Sequence, residues 1–214
     1  MNYMESKKAV IFDLDGTLVD NEGLKGKALA DTCRRHGGQC SSTIYQDVMG
    51  EKYEVVRSYF CDKAKVNLTD RQFDISFKEI YLDLLNRQVH LTDGVYDFLV
   101  KVRARGFRTA VVSSAQMWSV MTLLNKLGID TFFDIVITRE DVTEHKPSPA
   151  AYLLALERLA LRDRDVLVFE DSAAGLRAAS AAGCAVVMIR HYYNARQDFS
   201  GALQEIRSFD EMTL

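Results

Sequence analysis

The chain has 214 residues, 48% of them hydrophobic, and 27 basic against 30 acidic side chains leave a formal net charge of -3. That balance argues against a disordered polymer and offers no basic stripe for a phosphate backbone, so nucleic acid is not an expected partner. Only two prolines occur, Pro147 and Pro149, so there is no Pro-rich linker.

Residues 8–13 form the first predicted strand, a short apolar run that ends in Asp13. Such a run reads as a buried parallel strand whose carboxyl end opens onto a site. The alternation then stops. Residues 21–88 read as helices only, over 22–36 up to Gly37-Gly38, 43–49 before Gly50, 52–63, and 70–87 with Thr69 or Asp70 as N-cap. Gly23 and Gly26 lie early in the first of these, where they could ease a hinge.

Strand and helix alternate again from about residue 89. A helix over 95–105 closed by Gly106 precedes a strand over 108–113, and a helix over 116–127 closed by Gly128 precedes a strand over 133–138. A helix at 149–160, a strand over 165–171, a helix at 172–182 closed by Gly183 and a strand over 184–189 follow. The last 25 residues lack clear periodicity and are assigned a loop, a short helix at 202–206 and a tail.

This order predicts an α/β, Rossmann-like parallel sheet with helices on both faces, plus an inserted all-helical cap domain. The core comprises 1–20 and 89–214, and the cap 21–88. Ligands of such sheets lie outside the carboxyl ends of the strands. Asp13, Asp15, Ser113, Ser114, Glu170 and Asp171 should therefore gather at one edge.

No apolar run approaches the roughly 18 residues of a membrane span, and the N-terminus leads into a strand rather than a signal sequence. Cys33, Cys40, Cys61 and Cys184 are widely spaced without a Cys-x-x-Cys pair, which favours free thiols over a zinc cage or a disulfide framework. The expectation is a soluble cytoplasmic protein, a monomer, with no membrane partner. His36, His90, His145, His191 and Trp118 form no ligand spacing and read as packing or surface residues.

Asp13 and Asp15 stand two apart where a strand gives way to Gly16, so on an extended chain they face the same way. Two such carboxylates repel unless a hard cation such as Mg²⁺ lies between them, or they are simply turn residues. Glu170 and Asp171 supply further oxygens. Lys146 could balance a phosphate, while Ser113 with nearby N–H groups could hold a phosphoryl oxygen. Pro147 and Pro149 stiffen the loop carrying Lys146, with Ser148 as N-cap and Pro149 at the first helical position.

Asp13-x-Asp15-Gly16-Thr17, Ser113, Lys146-Pro147 and Glu170-Asp171-Ser172-Ala173-Ala174-Gly175 together resemble the four ordered motifs of haloacid dehalogenase superfamily hydrolases. The helical insert resembles the cap of subfamily I, and the fourth motif is most similar to the branch containing β-phosphoglucomutase and its phosphatase relatives. The resemblance implies that Asp13 is a nucleophile forming an aspartyl-phosphate and Asp15 the general acid and base. It implies Mg²⁺ held by Asp13, the backbone carbonyl of Asp15, Asp171 and, directly or through water, Glu170. Ser113, Ser114 and Lys146 would hold the phosphoryl group, Thr17 would steady the loop, and the Lys146-Pro147 bond would be cis.

An acid at position 15 speaks for phosphate-ester chemistry, because dehalogenases and phosphonate-cleaving members lack it. Aligned on the first motif, Lys25 falls where the mutase has a histidine. Gly50 falls where the mutase has a glycine flanked by basic residues, here flanked by Met49 and followed by Glu51, Lys52 and Tyr53. Lys25, Gly50, Glu51 and Lys52 are thus the substrate-selecting candidates. The expected function is a Mg²⁺-dependent phosphatase of a small phosphorylated metabolite, a sugar or polyol phosphate. A mutase is the alternative, and a binding module that has lost catalysis the more remote one.

Overall fold

A computed structural model describes residues 3–213. In chain order its elements are β1 (Ala9–Phe12), β2 (Val19–Asp20), α1 (Glu22–Arg35), α2 (Tyr53–Ala64), α3 (Asp70–Gln88), β3 (His90–Leu91) and α4 (Val95–Ala104). There follow β4 (Arg108–Val112), α5 (Met117–Lys126), β5 (Ile135–Ile137), α6 (Ala150–Leu159), β6 (Val166–Glu170), α7 (Ala173–Ala181), β7 (Ala185–Ile189) and β8 (Gln204–Ile206). The chain divides into two compact units. One holds the residues up to Val19, Leu91–His191 and those from Gln197 onward; the other holds Asp20–His90 with Tyr192–Arg196.

The first unit is built on a six-stranded sheet in the order β5-β4-β1-β6-β7-β8, with every pairing parallel. Starting from β1, the chain adds β4 and β5 on one side and then β6, β7 and β8 on the other. The strand order therefore reverses beside β1, where such sheets bind ligands. Both faces are covered, as a parallel sheet requires. Ile11, Val112, Val168 and Met188 pack on one face with Tyr152, Ala155 and Leu159 of α6 and Leu176 and Ala179 of α7. On the other, the rings of Phe12 and Phe169 stack at 5.4 Å, and Phe98 of α4 and Phe209 join them at 5.1 Å from each other.

The helix stops are largely those the glycines predict. Gly106, Gly128 and Gly183 take φ of +79°, +66° and +84° just past α4, α5 and α7. Helix α6 ends instead on Ala160 in the left-handed conformation, with φ of +53°. Its start also differs from expectation: Pro149 occupies the N-cap, and the Ser148 hydroxyl accepts from Ala150 N at 3.4 Å.

The expected helix at 202–206 is a strand. β8 pairs in parallel with β7, matching Ile189 to Ile206. Extended pairing satisfies the open edge of β7, with Arg190 N donating to Ile206 O at 2.7 Å, and lets Ile206 reach the interior. A five-residue helix over 202–206 would satisfy its own backbone and leave the edge of β7 unpaired.

In the second unit, Leu29 and Cys33 of α1, Val56 and Phe60 of α2 and Phe73 of α3 form one apolar cluster with Tyr45 and Met49. Thr69 and Gln72 start α3 with a reciprocal capping box. The segment expected to be helical over 43–49 is a 3-10 turn, Ser42–Asp47, where Ser42, Thr43 and Ile44 are weak α-formers. A Cβ on Gly26 would meet Ser42 O at 2.9 Å, so this glycine permits close packing. Residues 192–196, assigned by sequence to the core segment, cluster with this unit, where the Tyr193 ring lies 6.1 Å from that of Tyr45. Cys33, Cys40 and Cys61, far apart in sequence, meet here as free thiols, and burial pushes Cys33 up to about 12. No helix among the described residues is long and apolar enough to cross a membrane.

Candidate active site

Sheet register builds the site. Phe12 of β1 is level with Val111 of β4 and Phe169 of β6, so Asp13 emerges beside Glu170 at the carboxyl edge. Its N–H still donates to Phe169 O at 2.9 Å. Alternation puts Asp13 on the same face as Ile11 and Glu170 on the same face as Val168, the face that α6 covers.

Lys146 enters from the loop before α6 across a cis Lys146-Pro147 bond, the isomer the resemblance implied. Its ammonium lies 2.5 Å from Asp13 Oδ1, 2.5 Å from Glu170 Oε1 and 3.1 Å from Val112 O. The residue is only 9% exposed. Burial works against its charge, yet Asp13 and Glu170 outweigh burial and hold Lys146 above its usual value. Burial pushes Asp13 well above the usual carboxylate range, Lys146 pulls it back, and Glu170 and Asp171 push it further up.

Glu170 is fully buried and accepts from every side. Oε1 takes Lys146 and the Tyr152 hydroxyl at 2.7 Å; Oε2 takes the N–H groups of Asp171 and Ser172 at 3.0 and 3.2 Å and the Ser172 hydroxyl at 3.2 Å. The carboxylate therefore lies against the first turn of α7, where unpaired N–H groups favour negative charge. Ser172 caps that turn by accepting from Gly175 N at 3.0 Å. Glycine is required at 175: a Cβ there would be 1.9 Å from the Glu170 carboxyl carbon.

Asp13, Glu170 and Asp171 each offer an oxygen within 4.8 Å of the others, all buried. Three carboxylates face one ammonium. An oxygen donor set with surplus negative charge fits a hard divalent cation. Asp15 lies outside this carboxylate group; it is half-buried and its backbone bridges to Val19.

Ser113 N donates to Ile137 O at 2.9 Å, and its buried hydroxyl accepts from Ala115 N at 3.0 Å. Ser114 is exposed at the bend before α5. The sequence expected Thr17 to steady the loop, but its buried hydroxyl has no hydrogen-bond partner among the described residues. Backbone does that work: Thr17, Leu18 and Val19 N–H all point to Leu14 O, and Gly16 supplies the φ of +78° the turn needs.

The other candidates lie in the second unit. Lys25, on α1, pairs with buried Glu22 at 2.5 Å. Gly50 turns the chain with φ of +87°, and exposed Glu51 and Lys52 lead into α2.

Sequence reasoning missed Tyr152 and His191. Tyr152 read as one more apolar position of α6, though its ring lies 5.2 Å from the Lys146 nitrogen and its hydroxyl meets Glu170. His191, dismissed as packing or surface, has Nε2 2.9 Å from Asp171 Oδ2. Its position just past a strand end, level with the other site residues, was the available signal.

Known proteins resemble this chain in sequence and in fold. A family model described as haloacid dehalogenase-like hydrolase matches residues 10–189. The chain is 29% identical over 180 residues to a phosphorylated carbohydrates phosphatase of Thermotoga maritima, covering 82% of each. It is 31% identical over 212 residues to protein CbbY of Rhodobacter capsulatus, covering 91% of this chain and 90% of that one. The crystal structure of CbbY from Rhodobacter sphaeroides in complex with phosphate superposes with a TM-score of 0.85 at 26% identity, covering 96% of both chains.

Proposed function

The chain belongs to the haloacid dehalogenase-like hydrolases, and from that premise we propose that this phosphoric monoester hydrolase is a Mg²⁺-dependent phosphatase of a sugar or polyol phosphate. The observation that carries the reading is the buried grouping of Asp13, Glu170 and Asp171 around Lys146 at the reversal of strand order. A relative named for phosphorylated carbohydrates and a neighbour crystallised with phosphate support the substrate class.

Asp13 attacks the phosphorus of the bound monoester while the ester P–O bond breaks, leaving the phosphoryl group on its carboxylate. Asp15 as carboxylic acid gives its proton to the departing alkoxide. The resulting carboxylate then takes a proton from water as that water attacks the phosphorus, which frees inorganic phosphate and restores both residues. Lys146, with Ser113 and Ser114, balances charge on the transferring oxygens.

Asp13, Asp171 and the backbone carbonyl of Asp15 are the residues that would hold Mg²⁺, which when bound neutralises charge on the phosphoryl oxygens. Both Glu170 oxygens already accept protein donors. That saturation supports a water-mediated place for Glu170. The helical segment 21–88, with which residues 192–196 cluster, is read as the cap domain and the remainder of 1–20 and 89–214 as the core, with Lys25, Gly50, Glu51 and Lys52 selecting the substrate.

Hydrolysis of p-nitrophenyl phosphate tests the reading. Activity should require Mg²⁺ and fall at least about a thousandfold in Asp13→Asn, equivalent to about 4 kcal/mol of barrier. Activity surviving that substitution refutes the assigned nucleophile, and conversion of β-glucose 1-phosphate to its 6-phosphate in place of phosphate release would make the protein a mutase.

A further inference from the structure

His191 lies where the chain runs beyond β7, the strand paired with β6 on the side away from β1. Glu170 of β6 is level with Met188 of β7, so the two strands deliver Asp171 and His191 to the same edge of the sheet. The His191 Nε2 is 2.9 Å from Asp171 Oδ2; the histidine side chain is 23% exposed and that of Asp171 4%.

We propose that His191 is a positioning residue for the metal carboxylate Asp171, donating its Nε2–H to Oδ2 so that the carboxylate is held in one orientation toward a divalent cation. The inference rests on the metal centre proposed above. Asp171 lies next to Asp13 and Glu170, whose like charges push its carboxylate away, and a hydrogen bond to one oxygen restrains the side chain against that turn. Outer partners that orient a ligand commonly set metal affinity by factors of about 10–100. The donation needs no net charge on the ring.

Affinity for Mg²⁺ alone, without substrate, is the direct readout, taken from the rise in unfolding temperature of the full chain across a Mg²⁺ series. His191→Leu should weaken the apparent affinity about tenfold or more. His191→Gln places an amide N–H near the former Nε2 and should keep most of the affinity. His191→Asn, whose amide ends short of Nε2, should behave like the leucine variant and carries the same test if His191→Leu does not fold. Wild-type affinity in a folded loss variant, or equal loss in the glutamine and leucine variants, overturns the inference. If the wild-type protein binds no Mg²⁺, the metal centre itself fails and the positioning role fails with it.

Discussion

Glu170 accepts five hydrogen bonds on two oxygens, from Lys146, Tyr152, two backbone N–H groups and Ser172. A buried carboxylate is tolerated only when so surrounded. Tyr152→Phe removes one donor from a site no water can readily refill, since both residues are fully buried. We expect a loss of about 1.5–3 kcal/mol in chemical denaturation, the range for hydrogen bonds to charged groups. Mg²⁺-dependent turnover should fall as well, with kcat affected more than KM, because the partner shared with Lys146 is loosened. Unchanged stability would mean that Tyr152 contributes only its ring. At this scale the sequence was legible for acids and lysine, whose chemistry is visible in their type. Tyr152, Gly175 and His191 were not, because each acts through a neighbour that only folding supplies: a tyrosine on an apolar helix face, a glycine where a methyl would strike Glu170, and a histidine one strand over.

The edge of the sheet beyond β4 and β5 depends on Asp134. Its Oδ2 accepts Thr109 N at 2.8 Å and Arg103 at 2.9 Å, with Arg108 at 3.3 Å. Partial burial raises its pKa, but the Thr109 N–H, Arg103 and Arg108 overcome it, so the carboxyl is held below its usual value. A carboxylate depressed in the folded state contributes stability that is fully present above the unfolded value of about 3.9 and is lost as pH falls through the lower folded value. Asp134→Ala should therefore cost about 1.5–3 kcal/mol at pH 7. The difference from wild type should narrow as the pH drops through the carboxylate range; a penalty that stays constant through that range would assign the loss to packing. Elements with a clear apolar period and a glycine stop were readable in advance, as α4, α5 and α7 show. β8 was not, because three residues carry no period, and its pairing depends on the open edge of β7, which is distant in sequence.

Across the whole molecule, strand order decides the chemistry. β1 and β6 come from distant parts of the chain, yet their parallel register sets Asp13 beside Glu170 and Asp171. The alternation of strands and helices made this convergence readable without any structure, while the assignment of 192–196 depended on contacts with Tyr45 that sequence does not reveal. Gathering buried carboxylates of one sign stores repulsion that a cation relieves. Mg²⁺ at about 100 times its dissociation constant should stabilise the protein by about 2.7 kcal/mol. For a chain of this size that is a rise of about 5–10 °C in unfolding temperature. Asp171→Asn should abolish most of the rise. A rise of the same size in that variant would place the bound cation elsewhere.

The most direct measurement is of the covalent intermediate at Asp13. A substrate-loaded reaction is quenched in acid within one turnover, digested and analysed by mass spectrometry. The expected result is a phosphoryl group on the carboxylate of Asp13, absent in Asp13→Asn and longer-lived in Asp15→Asn, which cannot activate water. Rapid phosphate release with no phosphorylated Asp13 at any quench time, or a phosphoryl group trapped on another residue, would contradict it.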